Sequence, residues 1–412
     1  MTEKYDLGIV GGGPAGYTAA LHAAAKGQKV ILFEKEFIGG VCLNKGCIPT
    51  KSILKSSQLF SDFNNCESFG VFAEGVSFDW AKITERKNAV VERLRKGLLL
   101  AFKNAKIELV NAEAEILDAK TIKSEGNIYP CDKVLCCVGA SPKVIKGLEF
   151  DHKFLISSDD ILNLESLPKS LMIVGSGAIG IEWARIMSNL GVEVTLVELA
   201  KNLLPLADIE VSKRVERIFK TRGIKFYTET SVEKIDGHKI TLTNGEIVEP
   251  ERVLVAVGRV PNVKEKIEGV IYLGDASGEI QLAHFGIKQA IEEIDGIKFE
   301  KNLTPSVVYG SPEIAWAGLK EQDLEPESYK KSVVLVSSLG KAQCDGETEG
   351  FIKLLSQGDK IVGVHIVCEE ASALMQQVLI AIQHGITPNR LKEVCFAHPT
   401  YSEGIFEALF KL

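Results

Sequence analysis

A chain of 412 residues is too long for one ordinary domain and predicts roughly two to four. A hydrophobic share of 45% with 25% charged residues excludes a disordered polypeptide, and a net charge of −7 at pH 7 argues against nucleic acid as a partner. No signal-like start, no apolar run long enough for a membrane span and no scaffold-like spacing of the nine cysteines are visible, so a cytoplasmic protein is expected.

Tyr5–Val10 reads as an apolar strand running into Gly11-Gly12-Gly13-Pro14-Ala15-Gly16, then a helix over Tyr17–Ala25 and a second strand over Lys29–Phe33 that ends at Glu34. This is a βαβ unit with G-x-G-x-x-G at Gly11, Gly13 and Gly16 and an acid at the end of the second strand. The glycines let backbone approach a pyrophosphate at a helix N-terminus, and the carboxylate accepts hydrogen bonds from ribose hydroxyls.

Next comes Gly39–Lys51, GGVCLNKGCIPTK, with Cys42 and Cys47 five positions apart. Pro49 suits the first turn of a helix, whose positive end would favour a thiolate. Two packed cysteines or half of a zinc site would fit the spacing alone, although no second Cys/His pair lies at ligand spacing, so no metal is expected. A helix is expected over Ile83–Lys103, with Val90, Val91, Leu94, Leu98 and Phe102 as its packing stripe. Its basic residues Arg86, Lys87, Arg93, Arg95 and Lys96 read as a solvated face. The half closes with one strand over Lys133–Ser141, containing Gly139.

The βαβ unit then recurs with an offset of 164 positions, Gly175, Gly177 and Gly180 forming the loop and Glu198 the acid. Strands are expected at Ser170–Val174, Val192–Val197 and Arg252–Val260, the last containing Gly258. Two dinucleotide units mean two dinucleotides, and an electron relay calls for one flavin and one nicotinamide. Glu198 would repel a 2′-phosphate, which argues for NAD over NADP. The first half is longer between its acid and its closing glycine, and the excess contains the cysteine pair. The pair is therefore an insertion in the first unit, placed against a flavin there, which leaves the second unit for NAD.

The chain returns through Gly258-Arg259-Val260-Pro261-Asn262, then Gly274-Asp275 and Leu282-Ala283-His284. Alternating apolar runs follow at Ser332–Val336 and Lys360–Val367, with a helix near Ala373–His384, and the chain ends in AHPTYSEGIFEALFKL.

Taken together these motifs resemble the flavoprotein disulfide reductases over nearly the whole chain, and the CLN-x-GCIP wording is most similar to their dihydrolipoamide-oxidising members. The resemblance implies an α/β fold of two Rossmann-like dinucleotide-binding domains plus a C-terminal α+β dimerisation domain. It divides the chain into an FAD domain (1–142, completed by 262–302), an NAD domain (143–261) and a dimerisation domain (303–412). It implies that Cys42 and Cys47 form a redox disulfide, that Cys47 faces the flavin, and that Lys51 beside the flavin pairs with Glu182, a residue also grouped with the NAD unit. Gly139, Gly274, Asp275 and Ala283 would contact FAD, and Gly258 NAD. His398, oriented by Glu403, would be the acid–base group, supplied across a homodimer. Lipoyl domains of 2-oxoacid dehydrogenase complexes or of a glycine cleavage system are the implied partners. A reductase of another disulfide or of mercuric ion, and a non-catalytic flavoprotein subunit, are the alternatives. One departure stands out: Asn262 to Gly274 is shorter than is usual in that family.

Overall fold

The computed structural model describes residues 4–412. The first unit contains strands β1 (Tyr5–Val10), β2 (Val30–Phe33), β3 (Glu108–Val110), β4 (Ala114–Asp118), β5 (Thr121–Ser124), β6 (Asn127–Cys136) and β7 (Ala140–Pro142). Its helices are α1 (Pro14–Ala25), α2 (Gly40–Lys45), α3 (Cys47–Asn64) and α4 (Trp80–Asn104). The second unit runs through β8 (Leu155–Ile156), β9 (Ser170–Val174), α5 (Ala178–Asn189), β10 (Glu193–Val197), α6 (Ile209–Thr221) and β11 (Lys225–Tyr227). It continues through β12 (Val232–Asp236), β13 (Lys239–Leu242), β14 (Ile247–Val248), β15 (Arg252–Val255) and β16 (Arg259–Pro261). Strand β17 (Ile271–Tyr272) and helix α7 (Ala283–Asp295) return to the first unit.

Both units have the doubly wound order expected of a βαβ repeat. The first sheet runs β3-β2-β1-β6-β5-β4 with β17 added in parallel to β6, and the second runs β11-β10-β9-β15-β8, all parallel. Parallel strands are covered on both faces, and the sequence shows it: VILF in β2 and SLMIV in β9 are buried almost throughout. The C-terminal region is an antiparallel sheet, β18 (Ser306–Val308), β19 (Glu313–Gly318), β20 (Lys330–Leu335), β21 (Phe351–Gln357) and β22 (Lys360–Cys368), in the order β18-β19-β22-β21-β20. Helices α8 (Gly340–Asp345), α9 (Ala371–Gln383), α10 (Pro388–Leu391) and α11 (Glu403–Phe410) accompany it.

The second unit's core is shared with its neighbours. Ile173, Trp183, Ile186 and Phe219 pack in one cluster with Ile53 of α3 and with Ile314, Phe351 and Val367 of the C-terminal sheet. Each such side chain contributes about 1.5–3 kcal/mol by leaving water. A buried ionic network joins the same two regions. Lys353 on β21 is fully buried, and its Nζ lies 2.8 Å from Oδ1 of Asp208, 3.2 Å from Glu210 and 2.5 Å from Glu321. Asp208 caps α6, accepting from the Glu210 N–H. Burial opposes the charge on Lys353, yet its hydrogen bonds to Asp208 and Glu321 hold the pKa above its ordinary value. Asp208, Glu210 and Glu321 bring carboxylate oxygens within metal-holding distance of one another, but the Lys353 ammonium already sits among them.

Three expectations need correction. The strands read over Lys133–Ser141 and Arg252–Val260 are each broken in two, because Gly139 and Gly258 take φ of +70° and +105° and leave the ladder. The short pieces after the breaks, β7 and β16, pair with each other antiparallel and tie the two units together. The basic residues of α4 are not all solvated. Lys87 is buried and donates to the Leu162 carbonyl at 2.7 Å, while Arg86 donates to the Ser52 carbonyl and hydroxyl, both at 2.9 Å. On the expected packing stripe Val91 and Phe102 are buried, but Leu94 is exposed.

Candidate functional site

The two glycine loops solve the same problem with the same atoms. A Cβ on Gly11 would come within 2.2 Å of the Cys137 carbonyl, and one on Gly16 within 1.9 Å of the Gly11 carbonyl. Gly175 and Gly180 show matching distances of 2.6 and 2.0 Å to the Ala256 and Gly175 carbonyls. These glycines let strand, loop and helix touch. The middle glycines differ: Gly177 has nothing within 4 Å of a Cβ, and Gly13 meets only the Gly40 Cα at 3.8 Å. Open backbone at the start of a helix is what a pyrophosphate requires, so the loops fit the dinucleotides they were assigned. Glu34 accepts from the Gly12 and Glu36 N–H groups, and Glu198 from those of Ser176 and Ala200, all four at 2.8 Å. The acids thereby brace the loops they face.

The cysteine stretch folds over the first loop. Gly39 donates to the Gly12 carbonyl at 2.8 Å, and α2 carries Cys42. Cys47 is the first residue of the 18-residue helix α3, with Gly46 as its cap, so the helix begins two residues before Pro49. The Cys42 thiol hydrogen-bonds Cys47, and that bond is the largest influence on both groups. With Lys51 and the backbone N–H at the helix start it outweighs burial and Glu182, and lowers Cys47 from 9.0 to about 7. Donating the bond and being buried push Cys42 the other way. Of the two thiols, Cys47 is thus the one disposed to ionise near neutral pH.

Around it the structure collects residues from several elements. Glu182 of α5, nearly fully buried, accepts from Lys51 Nζ with both carboxylate oxygens at 2.8 Å. Its side chain thus meets the cysteine side of the molecule rather than the NAD loop. Two residues that sequence reasoning missed complete the surroundings. Tyr309 follows β18 and presents its ring 4.7 Å from Lys51 Nζ, while its N–H donates to Glu182 at 3.1 Å. Tyr17 of α1 has its pKa raised by burial and by the charges of Cys42 and Cys47. An aromatic residue just past the opening glycine loop was the available signal for Tyr17; Tyr309 carried none.

On the return path Gly274 donates to the Gln289 side chain at 2.7 Å, and Asp275 lies beside it in a short 3₁₀ turn. Burial raises the Asp275 carboxyl and the Arg259 charge partly offsets it. Ala283 opens α7, and His284 Nε2 contacts the Pro305 carbonyl at 2.7 Å. Gly286 is explained by packing, since a Cβ there would lie 3.0 Å from the Gly274 Cα and 3.3 Å from the Ala15 Cβ. The shortened Asn262–Gly274 connection closes on itself, with Lys266 bonding the Ser277 carbonyl at 3.1 Å and Tyr272 taking the Ile267 N–H at 2.7 Å.

His398 stands apart, 76% exposed, with Nδ1 2.8 Å from Glu403 Oε1. The other Glu403 oxygen accepts from the Thr400 N–H at 2.9 Å. The bond from His398, reinforced by that N–H, holds the Glu403 carboxyl below its ordinary range. Within the chain, no hydrogen bond among the described residues joins His398 to either cysteine of the pair.

Residues 5–290 match the family model described as pyridine nucleotide-disulphide oxidoreductase, and residues 304–409 match its dimerisation domain. The chain belongs to this family. Its fold is accordingly two nucleotide-binding domains with a C-terminal dimerisation domain, its cofactors are FAD and NAD, and the protein is a homodimer. The chain is 34% identical to the dihydrolipoyl dehydrogenase of Bacillus subtilis, covering 99% of this chain and 98% of that one. It is 32% identical to the dihydrolipoyl dehydrogenase of Mycoplasma pneumoniae over 99% and 98%. Among solved structures it is similar to LpdA from Mycobacterium tuberculosis, with a TM-score of 0.91, 24% identity and 98% of each chain covered. It also resembles the HOCl-induced flavoprotein disulfide reductase RclA from Escherichia coli, as its Cu(II) complex, with a TM-score of 0.87, 23% identity and 99% of each chain covered. No helix among the described residues is long and apolar enough to cross a membrane.

Proposed function

We propose that this enzyme oxidises protein-bound dihydrolipoamide with NAD⁺ as acceptor, working in the cytoplasm on the lipoyl domains of a multienzyme complex. The carrying observation is the cysteine pair, Cys42 on α2 and Cys47 at the start of α3, in which Cys47 is the thiol disposed to ionise. In this reading residues 1–142 with 262–302 hold FAD, 143–261 hold NAD and 303–412 pair the subunits. Gly11, Gly13, Gly16, Glu34, Gly139, Gly274, Asp275 and Ala283 serve the first dinucleotide; Gly175, Gly177, Gly180, Glu198 and Gly258 serve the second.

The chemistry of the side chains follows from their surroundings. A substrate thiol gives its proton to His398 of the partner subunit, whose imidazole is held by Glu403. The resulting thiolate attacks Sγ of Cys42 in the oxidised pair, a new S–S bond forms, and the Cys42–Cys47 bond breaks. Cys47 leaves as a thiolate because Lys51 and the helix start accept its charge. The second substrate sulfur then displaces Cys42, closing the substrate's ring and leaving two reduced cysteines. FAD, when bound in the first unit, would supply the two-electron chemistry that returns this pair to the disulfide, with NAD⁺ as the final acceptor. Lys51 and Glu182 fix the charge beside that cofactor.

The test is NADH formation from dihydrolipoamide and NAD⁺ by the FAD-loaded protein, with NADP⁺ alongside. Turnover with NAD⁺ alone is expected. A flavin-containing protein inactive on dihydrolipoamide would reassign it to another disulfide.

A further inference from the structure

Lys51 is the cation whose charge acts on Cys47, and its place is set by three parts of the fold at once. Its backbone belongs to α3, its ion-pair partner Glu182 to α5, and the ring facing its ammonium to Tyr309, in the C-terminal region. A cation within about 6 Å of an aromatic centroid is attracted by the ring's quadrupole, and more so where water is excluded. The distance here is 4.7 Å. The backbone N–H of the same Tyr309 holds Glu182 Oε1 at 3.1 Å, so one residue grips both members of the pair.

Resting on the function proposed above, we infer that Tyr309 is a positioning residue: its ring and backbone hold the Lys51–Glu182 pair so that the ammonium stays beside Cys47. The consequence is electrostatic. Cys47 is faced by Cys42 of α2, Lys51 of its own helix, Glu182 of α5, Tyr309 and Tyr17 of α1. Among these Lys51 alone is cationic. With the ring gone, the ammonium would be tethered only by Glu182, a flexible stem would let it follow that carboxylate, and the thiolate would lose its counter-charge. The phenol hydroxyl has no part in this, and the ring is the element that matters.

The test is the pH dependence of Cys47 alkylation by iodoacetamide in the reduced, FAD-loaded full-length protein, with the site of modification read by peptide mass spectrometry. It needs no substrate, so failure of the dihydrolipoamide assignment leaves it intact. Tyr309→Leu is expected to move the midpoint upward by about half a pH unit, roughly a threefold loss of thiolate at fixed pH below it. Tyr309→Phe, which keeps the ring, should restore the wild-type midpoint. Should the leucine variant not retain flavin, Tyr309→Met and the phenylalanine variant carry the comparison. An unchanged midpoint without the ring, or a phenylalanine variant shifted as far as the leucine one, would overturn the assignment.

Discussion

The two nucleotide-binding units share loops, acids and even hydrogen-bond lengths, yet they differ in what lies above the middle glycine. In the first, Gly39 and Gly40 lie across the glycine loop, with the Gly39 N–H on the Gly12 carbonyl at 2.8 Å. In the second, the Leu204 N–H reaches the Ser176 carbonyl at 3.2 Å, but nothing lies within 4 Å of a Cβ built on Gly177. The roof is the cysteine insertion itself. The same motif is thus overlaid differently in the two units, and the space above the middle glycine distinguishes them.

That contrast can be broken from either side. The largest effect should come from Cys47→Ser in the roof, which should lower thiol-dependent turnover by more than about 10³-fold while leaving bound flavin; retained activity would remove Cys47 from the chemistry. Its alkylation in the wild-type protein should rise through a midpoint near pH 7, well below the 9.0 of an ordinary thiol. Next is Gly40→Ala. Gly40 sits at φ +59°, and a Cβ would lie 2.6 Å from the Gly13 Cα. The variant should weaken flavin retention by about tenfold or more, read from the absorbance of the purified protein, with NAD⁺ affinity unaltered in the molecules that keep flavin. On the open side, Gly177→Ala has an unstrained φ of −66° and no steric neighbour. It should leave melting temperature and flavin content unchanged and raise KM for NAD⁺ by about tenfold, because the methyl occupies the pyrophosphate's approach. Away from both loops, Glu403→Gln should reduce kcat by several-fold to about tenfold, with flavin intact. Glu198→Gln should have the smallest effect, a few-fold gain in NADP⁺ use relative to NAD⁺.

Much of this was legible in the sequence because the information is local. A strand, a glycine loop, a helix and an acid are read within about thirty residues, and β1 and β9 fall where their apolar runs stop. The breaks at Gly139 and Gly258 were missed, since an apolar run looks continuous until a neighbouring unit claims its far end. Lys87 was assigned to water because charge patterning describes one helix, whereas its acceptor, Leu162, lies 75 residues further on. The Lys51–Glu182 contact came from resemblance rather than spacing, its members being 131 positions apart. Tyr309 escaped notice altogether, for nothing in its own segment reveals a cation waiting across the fold.

The buried Lys353 network has a mechanical meaning. It rivets the second unit to the C-terminal sheet through a fully buried ammonium held by three carboxylates. Removing one of these carboxylates would leave the buried Lys353 charge under-compensated, at a cost on the order of 3–5 kcal/mol. The second unit and the C-terminal sheet are thus joined by charge as well as by the apolar cluster that they share.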